Sequence, residues 1–126
     1  MKPHCLVLAA ALAAIAGAAQ AGDAAKGAVV FKRCIACHTA TEALNKVGPS
    51  LQGVVGRPVA TAKNFRYSRS MLAFAEGKTW TEADLASFIA NPKQMIPGNA
   101  MAFFGLKQPE DVADLVAYLK DPAAAQ

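Results

Sequence analysis

Cys34-Ile35-Ala36-Cys37-His38 is the stretch that decides how the rest of this chain is read. Two cysteines three positions apart, followed at once by histidine, form the C-x-x-C-H signature of covalent haem attachment. The spacing has a physical reason. At the end of a helix, residues three apart share a face, so two thiols can each add to one of the two vinyl groups along a single porphyrin edge. The next residue then offers its imidazole to the iron as proximal ligand. Two other readings of the motif lack support. A thioredoxin-type C-x-x-C belongs beside a βαβ pattern, and none is visible here. A structural zinc site wants four ligands, and the chain beyond its first 21 residues has two Cys and one His.

Working outward from the motif, the first 21 residues read as a secretory signal peptide. Met1-Lys2-Pro3-His4 is a short basic start, Leu6 to Ala19 is an almost unbroken apolar run, and Ala19-Gln20-Ala21 is a small-x-small cleavage site. The run is shorter than the roughly 20 residues that span a bilayer and is rich in Ala. Cleavage between Ala21 and Gly22 would remove Cys5 and His4 and leave residues 22–126 as one domain of 105 residues. No second long apolar stretch follows, so a protein without a membrane span is expected, in the periplasm if the host is Gram-negative. Without Lys2, twelve basic side chains face nine acidic ones, a balance of +3. That charge suits acidic partner surfaces and is too weak to argue for nucleic acid, for which no motif is present. A chain this short buries a modest core and gains from a bound group that completes it.

The other axial position of the iron needs a ligand or stays open. With no second histidine after Ala21, the candidates are Met71, Met95, Met101 and the lysines. Met71 lies in an expected helix, Ser68 to Gly77, and reads as core filler. Met95 and Met101 share the segment Asn91-Pro92-Lys93-Gln94-Met95-Ile96-Pro97-Gly98-Asn99-Ala100-Met101, whose two prolines and glycine argue for a non-helical loop. Composition does not choose between these two methionines.

The local signals describe a small all-α domain. Asp23 can cap a first helix running toward Cys34, with Gly27, Val30, Phe31 and Cys34 on one face. Thr81-Glu82-Ala83-Asp84 is a near capping box, with Trp80 and Leu85 as its hydrophobic staple, and this helix should end where Pro92 follows Asn91. Pro109 suits a first helical position, Glu110 and Asp111 suit the first turn, and Val112, Leu115, Val116 and Leu119 form an apolar stripe. Gly48 to Tyr67 shows no period and reads as loop, and the tail Pro122 to Gln126 is expected to fray. Neither end helix is long enough to stand alone. They are expected to pack together across Gly27, where a missing side chain permits close approach.

The C-x-x-C-H motif followed some sixty residues later by Pro97-Gly98-Asn99-Ala100-Met101 resembles the class I cytochromes c, the small monohaem type of mitochondria and bacterial shuttles. The likeness extends over Gly27 and Phe31, Lys46-Val47-Gly48-Pro49-Ser50-Leu51, Gly53, Gly56, Arg57, Leu115 and Tyr118. It implies the cytochrome c fold around one haem c, with His38 and Met101 as the axial ligands. The Pro49 carbonyl would accept the imidazole N–H, and Arg57, Tyr67 and Trp80 would bond a haem propionate. Phe103 would lie beside the exposed haem edge, ringed by Arg33, Lys46, Lys93 and Lys107 as a docking surface for redox proteins with acidic faces. The implied function is that of a soluble, monomeric electron carrier with no catalytic residues, running between a quinol-oxidising complex or dehydrogenase and a terminal acceptor. Three positions depart from the family pattern. Phe88 stands for the usual tyrosine near the axial sulfur, Ala100 for a common lysine, and Asn99 for the usual threonine.

Overall fold

In the computed structural model, which describes residues 21–126, five α-helices and a terminal 3-10 turn are joined by long loops, with no named strand among the described residues. The signal-peptide assignment rests on residues 1–20 and falls outside them, apart from Ala21. Helix α1 spans Ala24–Phe31, α2 Arg69–Phe74, α3 Glu82–Ala90, α4 Pro92–Met95 and α5 Pro109–Lys120. The expected all-α class is what the chain adopts.

Caps set most of these boundaries. The Asp23 carboxylate accepts the Lys26 N–H at 3.0 Å, Ser68 Oγ accepts from Met71 at 3.1 Å, and Thr81 Oγ1 accepts from Asp84 at 3.0 Å. Each satisfies a backbone donor that a helix start leaves without an intrahelical partner. Trp80 and Leu85 are both buried at the start of α3, as a staple requires. Pro109 opens α5 with Glu110 and Asp111 in the first turn, where the positive end of the helix dipole favours them.

Helices α1 and α5 cross at Gly27. A Cβ at that position would run into the Asp114 backbone carbonyl and lie 2.7 Å from Tyr118 Cβ, so the approach depends on glycine. Phe31 and Tyr118 stack beside the crossing with centroids 5.4 Å apart, and the Asp23 N–H donates to the Asp114 carboxylate at 2.7 Å. The stripe Val112, Leu115, Val116 and Leu119 is buried along α5.

Two elements differ from the sequence expectation. The segment after Asn91 holds the short helix α4 instead of an unbroken loop. A proline at the first helical position loses no hydrogen bond, and Asn91 Oδ1 accepts from Gln94 at 3.3 Å. The tail also keeps structure: Pro122–Ala125 forms the 3-10 turn and lies against α1. Pro122 starts that turn as Pro92 starts α4. Past Phe31 the first helix tightens, with Arg33 and Cys34 bonding three residues back to Val30 and Phe31.

Candidate functional site

Beyond α1, the Cys37 and His38 N–H groups both donate to the Cys34 carbonyl, at 3.0 and 2.9 Å. This turn brings Cys34, Cys37 and His38 to the wall of one cleft of about 300 Å³. Neither cysteine is paired in a disulfide. Burial raises the Cys34 thiol above its ordinary value, partly offset by the nearby Arg33 charge. His38 Nδ1 donates to the Pro49 carbonyl at 2.7 Å, which leaves Nε2 as the nitrogen able to bind a metal. Burial is the main influence lowering the His38 value, opposed by the bond to Pro49. Gly48 lies flat against the ring, where a Cβ would collide with Cε1 and sit 2.8 Å from Nδ1. No larger residue fits there without turning the imidazole.

The same cleft gathers Pro49, Arg57, Tyr67, Trp80, Met101 and Phe103, together with Arg33. Most of its remaining wall is apolar, with Leu85, Phe88, Ile89, Leu115 and Leu119 from α3 and α5 and Leu51 and Val54 from the loop. Trp80 stacks against Phe88 and Phe74, with centroids at 5.3 and 5.8 Å. Arg57 is brought beside this ring by backbone pairing, because the Trp80 N–H donates to the Arg57 carbonyl at 2.9 Å. Its Nη1 and Nη2 donate to the Gln52 and Ser50 carbonyls, both at 3.0 Å, while Nε is buried with no partner. Burial pulls the guanidinium below its ordinary value, yet arginine stays charged at neutral pH. The Tyr67 hydroxyl accepts the Ala62 N–H at 3.0 Å, so its own hydrogen is available to donate.

These residues fit a covalently held haem. Paired thiols, an oriented imidazole, an apolar slot and a cation with an unmet donor are what thioether bonds, iron, porphyrin and carboxylate would use. Of the methionines, Met101 lines the cleft and Met95 does not. Met71, which the sequence reading treated as core, lines it as well while packing against the core. Arg66 and Phe65 also border the cleft and were not singled out; only their place beside Tyr67 could have marked them.

The remaining docking candidates lie off the cleft wall, on the surface. Lys46 Nζ donates to the Ile35 carbonyl at 2.6 Å and Lys107 Nζ to the Phe104 carbonyl at 2.7 Å. Lys93 Nζ donates to the carbonyls of Asn99 and Met101, at 2.9 and 2.7 Å. Phe104, beside Phe103, is 83% exposed.

Known proteins supply the remaining comparison. A family model described as cytochrome c matches residues 24–122. The chain is 48% identical to a cytochrome c2 of Agrobacterium tumefaciens over 100 residues, covering 78% of this chain and 90% of that one. It is 46% identical to a cytochrome c of Chlamydomonas reinhardtii over 108 residues, covering 84% and 95%. Among solved structures, cytochrome cH from Methylobacterium extorquens superposes with a TM-score of 0.72 at 41% identity, covering 79% of this chain and 98% of that one. A match that runs through nearly every described residue, in sequence and in fold, leaves one assignment: the chain belongs to the cytochrome c family, as a class I member that binds one covalent haem c.

Proposed function

We propose that this protein is a diffusible electron carrier whose iron is held by His38 and Met101. When bound, the haem supplies an iron that alternates between ferrous and ferric forms. Cys34 and Cys37 would anchor it by thioether bonds, and Pro49 would fix the imidazole and raise its basicity. Arg57, Tyr67 and Trp80 would hold a propionate. The observation that carries the reading is one largely apolar cleft lined by both cysteines, the only histidine after Ala21 and Met101. With His38 and Met101 both bound, the iron would have no open coordination site for oxygen or peroxide. Thioether ligation and an apolar pocket both favour the ferrous state.

Export follows the same reading. Residues 1–21 act as a signal removed in transit, residues 22–126 form the single working domain, and the carrier operates as a monomer in the periplasm. No helix among the described residues is long and apolar enough to cross a membrane. Its donor is a quinol-oxidising complex or dehydrogenase and its acceptor a terminal oxidant, each met through an acidic face.

The test is an absorption spectrum of the haem-loaded protein in both oxidation states. A sharp reduced α-band with a weak ferric band toward the red, the latter lost in Met101→Ala, is the expected result. A high-spin wild type that readily takes up carbon monoxide would point instead to an open-site enzyme or gas sensor. A Met101→Ala spectrum equal to wild type would move the ligand to Met71, the other methionine on the cleft wall.

A further inference from the structure

The segment that carries Met101 has little backbone support of its own. None of the backbone–backbone hydrogen bonds among the described residues involves Ala100, Met101 or Ala102. What holds Met101 is a pair of side chains. Its N–H donates to Asn99 Oδ1 at 3.0 Å, and its carbonyl accepts from Lys93 Nζ at 2.7 Å. Asn99 is buried at 5% exposure and spends both Nδ2 hydrogens on carbonyls of the α4 region, Pro92 and Ile96, each at 2.9 Å. Lys93, on α4 itself, also reaches the Asn99 carbonyl at 2.9 Å.

We propose that Asn99 and Lys93 are positioning residues that lock Met101 to helix α4 and so set how often the axial position opens. This rests on the reading of Met101 as ligand. A buried amide whose donors and acceptor are all satisfied is costly to disrupt, because losing it strands its partners. Swinging the Met101 backbone away from the cleft while Asn99 stays in place breaks the bonds to Asn99 and Lys93 together. Threonine, with one hydroxyl, cannot make the three bonds that Asn99 makes. Lys93 therefore acts on the ligand segment as well as on the surface charge, and a charge reversal there would disturb both.

The experiment is a titration of the ferric haem-loaded protein with imidazole, which can bind only when Met101 leaves. Apparent affinity then reports the open fraction. Asn99→Ala and Lys93→Gln should each tighten apparent imidazole binding about tenfold, the scale of one lost hydrogen bond. Both should weaken the red ferric band. Met101→Ala should bind tightest, and Lys26→Gln, which removes a charge from α1, should match wild type. Wild-type affinity in Asn99→Ala and Lys93→Gln alongside tight binding by Met101→Ala would overturn the clamp and spare the ligand assignment. Wild-type affinity in Met101→Ala would overturn the assignment and the clamp with it. Should Asn99→Ala fail to fold, Lys93→Gln at its exposed position carries the comparison.

Discussion

Arg57 has two of its guanidinium nitrogens tied to loop carbonyls and the third buried without a partner at the cleft wall. It therefore does two jobs that one substitution separates. Arg57→Leu frees the Ser50 and Gln52 carbonyls and should cost about 1–3 kcal/mol of stability. It also removes a positive charge that disfavours the ferric state, so the reduction potential should fall. A redox titration beside a thermal melt checks both, and an unchanged potential would place Arg57 outside the reach of the haem. At this scale the sequence was most legible where one motif names adjacent residues: Cys34, Cys37 and His38 read directly, whereas the Pro49 partner of His38 came only with the family resemblance. Asn99 was visible only as a departure. Its bonds to Pro92, Ile96 and Met101 exist only once the segment has folded back on itself. Met71 packs against the core as expected and also lines the cleft, a second place the sequence does not show because a thioether at the edge of a cleft has the same signature as one inside.

The crossing of α1 and α5 is where element packing is most exposed to test. In a free helix, Gly27→Ala would gain about 1 kcal/mol of propensity. Here the new Cβ meets the Asp114 carbonyl, which is backbone and cannot rotate away. Forcing the helices apart costs about 1–3 kcal/mol and strains the Asp23–Asp114 bond beside it. The expected outcome is a lower urea midpoint; a raised midpoint would mean the helices do not approach as described. Helix starts were legible because Asp23, Ser68, Thr81 and Pro109 are local signals that tertiary contacts do not override. The segment after Asn91 was harder, since proline breaks a helix from within yet begins one at its first turn. Pro92 and Pro122 both begin turns here.

At the scale of the whole domain, residues 22–126, the balance of +3 matters less than where the cations sit. Lys46, Lys93 and Lys107 each anchor on a carbonyl of the segments that border the cleft, Ile35, Met101 and Phe104. Such anchoring narrows where each charge can wander without neutralising it. Phe104 adds an exposed apolar group beside Lys107. An acidic partner face would thus be steered by charge at a distance and seated on apolar surface at contact. Lys93 is a poor probe of this, because it also holds Met101. Lys107→Glu is the cleaner variant, since its bond goes to Phe104 and not to the Met101 segment. It should slow reaction with an acidic redox partner about threefold to tenfold at low ionic strength. The gap should close as salt shortens the reach of the charges. Stopped-flow rates across a salt series measure it, with the red ferric band recorded as proof that ligation is intact. Equal rates at low salt would remove Lys107 from the docking face, whereas a gap that persists at high salt would assign its role to contact with Phe104 instead of steering.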